Sequence, residues 1–199
     1  MTDLLIRKAR PSDVAAMLEL INGYARTGLM LPRTEFEMCE NIRDFSVALR
    51  GGQLAGCGAL HFYTPKMAEV RSLAVSQHVK SAGVGRRLVE SLVEEARQYG
   101  LDVVFAFTYV AQFFQKCGFQ PVDRGSLPLK AWKDCIRCPR FNSCDEVPVV
   151  HLISEEARAR ENGVENGLIH LSSYISHGPE VEDEPVPVPT PASTGFQGR

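Results

Sequence analysis

The sequence predicts a mixed α/β domain. Three observations carry this. Several apolar runs have strand length and strand composition. Two stretches show helical periodicity. A glycine-bearing turn, Lys80-Ser81-Ala82-Gly83-Val84-Gly85-Arg86-Arg87, joins a strand to a helix.

LLIRKA (4–9) reads as the first strand. Ser12 or Asp13 then caps a helix carrying Val14, Met17, Leu18 and Ile21 at helical spacing. Pro32 breaks the following stretch into a loop, and Thr34 caps a short helix reaching about Asn41. FSVALR (45–50) and QLAGCGALHFY (53–63) flank Gly51-Gly52, a pair that tolerates positive φ, so they read as a tight hairpin. AEVRSLAV (68–75) is a further strand. The helix after the glycine turn puts Val84, Leu88, Val89, Leu92, Val93 and Ala96 on one face and stops at Gly100. VVFAF (103–107) is continuously apolar and suits a strand covered on both faces. AQFFQKCGF (111–119) is a short helix ending at Gly118, and VPVVHLI (147–153) is the last strand. These elements define a domain over residues 1–153. From Ser154 the chain turns acidic and proline-rich, and residues 154–199 are expected to form a disordered tail, with too few large apolar groups to offset the entropy of ordering.

Composition narrows the function. With 199 residues, 44% of them apolar, and a net charge of -2, the chain suits one buried domain and no nucleic-acid or anionic-membrane partner. MTDLLIRKARPSD lacks the apolar core of a signal peptide, and no run approaches a membrane span. The expectation is a cytoplasmic protein whose six cysteines are reduced.

The glycine turn has a physical use. Helix N-termini present unpaired N–H groups and partial positive charge, and glycines let the backbone close on a bulky anion such as a pyrophosphate. Arg86 and Arg87 add charge at the rim. The order of elements around it is a helical first third, a hairpin, a strand ending in L-A-V, the motif x-x-G-x-G-R-x-L, a buried strand and a short helix ending in G-F. In that order the chain resembles the GNAT superfamily of N-acetyltransferases. The resemblance implies a central mixed, mostly antiparallel sheet of six to seven strands flanked by helices. It implies acetyl-CoA as cosubstrate, with the pantetheine arm along Leu73, Ala74 and Val75 and the pyrophosphate at Ser81, Ala82, Gly83, Val84, Gly85 and Arg86. Lys80 stands where the family turn opens with Gln or Arg, keeping charge without a forked donor.

Further stretches are similar to one subgroup: LINGYARTGLMLPR, IRDFSVA, GCGALHFY, EVRSLAV, FAFTY and LPLKAWKDCIRCPRFNSCDE resemble the acetyltransferase domain of the N-acetylglutamate synthases, in their short form. This implies transfer of acetyl to the α-amino group of L-glutamate, the first step of arginine biosynthesis, and a homodimer. An ammonium acceptor must lose a proton, which calls for a carboxylate or His; Glu69 matches the family's general base. Strand alternation puts Arg71 on the face of Glu69 and Ser72 on the other. A backbone N–H near Ser72 matches the oxyanion donor. Phe114 replaces the tyrosine acid of many members, and Thr108 matches the hydroxyl residue of the subgroup, with Tyr109 beside it. A dicarboxylate calls for planar cationic donors. Arg33 and Leu31 match substrate contacts; Arg71, Arg140 and Ser143 are further candidates, with Lys133 and Arg137 nearby.

Cys135-x2-Cys138-x5-Cys144 has a zinc-type start, but a structural zinc takes four ligands. The fourth would be His151, Asp145 or a distant cysteine, so no metal is assigned; reduced thiols or a redox-sensitive pair remain. Two other readings stay open: the same fold acting on another amino acid, a polyamine or a protein N-terminus, and a non-catalytic acetyl-CoA sensor.

Overall fold

The computed structural model describes residues 4–79, 83–127, 135–138 and 141–161. β1 (Leu4–Lys8) leads through a 3₁₀ turn into α1 (Val14–Arg26), followed by α2 (Glu35–Glu40). Thr34 caps α2: its Oγ1 accepts from the Glu37 N–H, and the Glu37 carboxylate accepts from the Thr34 N–H in return. β2 (Phe45–Arg50) and β3 (Gln53–Thr64) form the expected hairpin, with Gly51 and Gly52 at φ 57° and 77°. β4 (Met67–Val75) then runs to the glycine turn and α3 (Val84–Gln98). β5 (Val103–Thr108), α4 (Ala111–Gln115), the two-residue β6 (Gln120–Pro121), β7 (Val147–Leu152) and α5 (Glu155–Glu161) complete the order.

The seven strands form one sheet in the order β1-β2-β3-β4-β5-β7-β6. Every neighbouring pair is antiparallel except β4 and β5. This is the mixed, mostly antiparallel sheet the sequence predicts. Helices cover both faces. α3 packs the six residues of its apolar stripe against one face, with Leu60, Val70, Val104 and Ala106 in that core. α1 and α2 place Val14, Met17, Ile21 and Met38 on the other, against Phe45, Val47, Cys57 and Ala59. Each fully buried Leu, Ile or Met contributes about 1.5–3 kcal/mol, so these two layers dominate stability. β5 is buried on both sides, as its unbroken apolar run predicts: Val104 and Ala106 face α3, while Val103 and Phe105 join Leu127, Val150 and Ala157.

Ser154, the first residue of the expected tail, is the cap of α5: its Oγ accepts from the Ala157 N–H at 3.0 Å, and Ala157 is buried. Residues 162–199, the rest of that tail, lie outside the described residues.

Two departures from regular pairing open the sheet. β4 pairs with β5 only over Met67–Glu69 and Val103–Phe105. On its other side β4 is bulged against β3: Cys57 faces Ala74 and Ala59 faces Arg71, so Ser72 and Leu73 together oppose Gly58. Ser72 is the one non-glycine among the described residues with positive φ, 52°. From Val70 onward β4 has no strand neighbour on its β5 side among the described residues, and the strands diverge into a cleft.

Candidate active site

The divergence of β4 and β5 leaves a cavity of about 450 Å³. It is floored by β4 residues Glu69 to Leu73, walled by β5 and the segment after it, and roofed by the loop after α1. Glu69, Ser72, Leu73, Thr108, Leu31, Arg33 and Arg71, all read from the sequence as site residues, line it together.

Glu69 is 2% exposed. The hydroxyl of Tyr63, on β3, donates to its Oε2 at 3.1 Å. Tyr63 is itself packed edge-on against Phe105 and His61, with ring centroids 5.2 Å and 5.5 Å away. Beside this pair, His61 donates from Nδ1 to Asp44 Oδ2 at 2.6 Å, and Arg71 reaches Asn41 Oδ1 at 3.3 Å and Asp44 Oδ2 at 3.8 Å. Arg71 Nε is buried with no hydrogen-bond partner among the described residues. Glu69, Arg71, His61 and Tyr63 thus share one face of the β3–β4 hairpin: alternation places the first three, and the register shift between Phe62 and Thr64 adds Tyr63.

Arg33 is held by its backbone. Asn22, on α1, accepts from the Arg33 N–H and donates to the Arg33 carbonyl, each at 2.9 Å. The guanidinium can then lean over the cavity, with Nη2 3.5 Å from Ser72 Oγ. The capping box of α2 follows directly, and Glu37 is held below the usual carboxylate range, first by the Thr34 N–H and then by the Thr34 hydroxyl.

Thr108 ends β5 and is 7% exposed. Its Oγ1 accepts from the Val110 N–H at 3.0 Å, which leaves the hydroxyl proton to donate elsewhere. Because the strand stops here, Tyr109 also lines the cavity instead of pointing away from it. Phe114 is buried against Phe113 and Phe119 and touches the same space.

The open edge of β4 leads to the start of α3. Gly83 has φ 76°, a left-handed conformation that fits glycine. A Cβ on Gly85 would sit 3.3 Å from Phe113 and 3.4 Å from Val75, so only a small residue lets α3 approach the sheet here. Val84 is buried, while Arg86 is exposed and paired with Glu90 at 2.8 Å. Ala74 is buried toward α1, and the Val75 carbonyl accepts from the Tyr24 hydroxyl at 2.6 Å. Ser81, Ala82, Lys133 and Arg140 lie outside the described residues.

Ser143, by contrast, is exposed and is not among the lining residues; its neighbours Phe141 and Cys144 are. Cys135, Cys138 and Cys144 all line the cavity. Among the described residues no group of His, Cys, Asp or Glu is arranged to hold a metal ion. Cys57 is fully buried, and burial pushes its thiol up to about 12, so it is an unreactive filler. Sequence reasoning passed over Tyr63 and Asn22. The first was out of reach locally, because a regular two-residue turn would set Phe62 opposite Glu69, and only the register shift between Phe62 and Thr64 turns Tyr63 to the carboxylate's face. The second depends on how a loop folds back on α1, and no local signal carries that.

Residues 15–119 match the model of the acetyltransferase (GNAT) family. An uncharacterized N-acetyltransferase from Chlorobaculum tepidum is 40% identical over 148 residues, covering 74% of this chain and 96% of that protein. An amino-acid acetyltransferase from Mycobacterium tuberculosis is 33% identical over 136 residues, covering 67% of this chain and 78% of that one. The structure of N-acetylglutamate synthase from Neisseria gonorrhoeae complexed with coenzyme A and N-acetyl-glutamate superposes with a TM-score of 0.70 at 27% identity. That match covers 78% of this chain and 36% of the other.

Proposed function

The chain belongs to the acetyltransferase (GNAT) family, and from that premise we propose that it moves the acetyl group of acetyl-CoA to the α-amino group of L-glutamate, releasing CoA and N-acetyl-L-glutamate. One observation carries the acceptor reading: a buried carboxylate, Glu69, and an arginine clamped by its backbone, Arg33, line the same cavity beside the open edge of β4. The likeness to amino-acid acetyltransferases, and to a synthase solved with N-acetyl-glutamate, supports the same choice.

In this reading the acetyl-CoA pyrophosphate sits at the start of α3, where unpaired N–H groups and the helix dipole favour an anion. Its pantetheine arm lies along the unpaired edge of β4 from Leu73 to Val75. Arg33 takes a carboxylate of glutamate through paired N–H donors, and the Leu31 backbone borders the same site. Glu69 accepts the proton of the incoming ammonium, with Tyr63 holding Oε2 so that the carboxylate keeps one orientation. The freed amine attacks the acetyl carbon, the C–N bond forms, and charge collects on the acetyl oxygen. The Ser72 N–H, at the bulge where β4 leaves its regular register, stabilises that charge. The C–S bond then breaks. A thiol has a pKa near 8.5, so the departing thiolate needs little help; the Thr108 hydroxyl can hand it a proton and regain one from the nitrogen, which sheds its second proton as the amide forms.

This reading makes the protein an entry enzyme of arginine biosynthesis, working in the cytoplasm as a homodimer. Arg71, with its buried Nε, is the second cation assigned to the acceptor. Mass spectrometry of products from purified protein, acetyl-CoA and a panel of L-glutamate, L-glutamine, L-aspartate, L-lysine and spermidine tests it. N-acetylglutamate should dominate. A preference for lysine or spermidine would keep the family and overturn the acceptor assignment.

A further inference from the structure

The sequence singles out Cys135-x2-Cys138-x5-Cys144, and acetyl transfer uses none of these thiols. The fold puts all three in the wall of the acceptor cavity. Cys135–Arg137 is a 3₁₀ turn, and the Cys138 N–H donates to the Cys135 carbonyl at 2.9 Å. Such an i to i+3 turn brings its end Cα atoms within about 7 Å, which overlaps the roughly 4.4–6.8 Å that a disulfide spans. Cys138 is tied onward: the Phe141 N–H donates to its carbonyl at 3.0 Å, and Phe141 also lines the cavity.

A cation stands beside this segment. Arg124 lies under this segment, with its guanidinium over the Phe107 ring and Nη2 donating to the carbonyls of Cys144 and Glu146. The Arg124 pKa is raised, first by its hydrogen bond with Cys144 and against burial. A fixed cation beside partly exposed cysteines is the setting in which thiols react. Cys135 and Cys138 are both partly exposed.

We propose that Cys135 and Cys138 are an oxidisable dithiol in the wall of the acceptor cavity, closed to a disulfide by a peroxide, and that closure weakens acceptor binding. One thiolate attacks a peroxide oxygen, the O–O bond breaks, and a sulfenic acid forms as the first water leaves. The second thiolate attacks that sulfur, forming the S–S bond and releasing the second water. Two thiols are oxidised by two electrons and one hydrogen peroxide is reduced to two waters. Closure draws both sulfurs off the cavity wall and shifts Cys138. That movement passes to Phe141 through its hydrogen bond to the Cys138 carbonyl. The effect on binding rests on the acceptor reading above; the disulfide does not.

The test uses the full chain. Protein kept in dithiothreitol and protein treated with hydrogen peroxide are compared by peptide mapping and by steady-state kinetics. A Cys135–Cys138 cross-link is expected. The acceptor KM should rise about tenfold while the acetyl-CoA KM holds, and dithiothreitol should reverse both changes. Cys138→Ser and Cys135→Ser, each compared with itself before and after peroxide, should show no reversible change. Absence of the cross-link overturns the proposal, as does a cross-link that leaves the acceptor KM in place. Peptide mapping needs no substrate, and the acceptor panel is run on reduced protein, so a wrong acceptor and an absent dithiol give separate failures.

Discussion

The Tyr63 hydroxyl lies 3.1 Å from Glu69 Oε2 and donates to it, across the β3–β4 hairpin. This contact gives the buried carboxylate a fixed orientation. It comes from β3, which stays paired with β4 here through a register shift at Tyr63, whereas β4 and β5 separate just beyond Glu69. The base therefore stands on the rigid side of the cleft and the substrates enter on the open side.

Glu69→Gln keeps the shape of the side chain and removes its ability to take a proton. Its kcat should fall by about 10²–10⁴-fold. Acetyl-CoA binding, measured by calorimetry, should not change. Wild-type turnover in this variant would remove Glu69 from the proton-transfer step. Tyr63→Phe tests the support: a hydrogen bond to a charged group contributes about 1.5–3 kcal/mol, so kcat should drop about tenfold or more with the acetyl-CoA KM unmoved.

Arg33→Ala should raise the KM for glutamate by about 10–100-fold, the loss of a charge-assisted donor pair. Arg33→Lys restores the charge and not the fork, so it should recover only part of the loss. Asn22→Ala should move the same constant in the same direction, because Asn22 makes both backbone bonds that set the Arg33 loop. Steady-state kinetics with glutamate varied at saturating acetyl-CoA checks all three. An unchanged KM in Arg33→Ala would take this arginine out of the acceptor site.

Much of the frame was legible because its signals are local. The stripe from Val84 to Ala96, the Thr34 cap and the Gly51-Gly52 turn each need only a few residues of sequence, and each stands where the pattern puts it. The co-location of Glu69, Arg33 and Thr108 followed from a resemblance, not from spacing. What escaped is tertiary. Serine has no preference for φ near 52°, so the bulge at Ser72 is imposed by packing around β4. β6 has two residues and no periodicity to read. α5 was hidden because its cap, Ser154, coincides with the change in composition.

Gly56 gives a test of that packing. A Cβ there would lie 2.9 Å from the Ala74 carbonyl oxygen and 3.0 Å from Leu88 Cδ1, so backbone would have to move. Gly56→Ala should destabilise the fold by about 1–3 kcal/mol, read from the urea midpoint at unchanged slope. Gly58→Ala meets the side-chain tips of Leu73 and Leu92 at 3.0 Å and 3.3 Å, with backbone no nearer than the ordinary 3.8 Å contact to Leu73 Cα. The tips can rotate, and the cost should be smaller. Equal effects would mean that β4 does not hold the close approach described.

Asp13 predicts a pH dependence. Arg7, on β1, grips it with two bonds of 2.7 Å and 2.9 Å, and the Arg10 N–H donates to it at 2.7 Å. Its pKa is lowered from 3.8, first by the hydrogen bond from Arg7, then, against burial, by the Arg10 backbone and the two arginine charges. A carboxylate whose folded pKa lies below its unfolded one adds stability above the unfolded value. As pH falls, the unfolded chain takes up the proton first, and the contribution is lost through the folded pKa. Asp13→Asn should therefore cost about 1–2 kcal/mol near neutral pH, a few degrees in Tm. The gap between variant and wild type should stay constant down to about pH 5, narrow below the ordinary carboxylate value and close at lower pH. Thermal unfolding of both proteins from pH 7 to pH 2.5 measures it, and a gap that does not narrow on acidification would mean that the loss has a cause other than this ion pair.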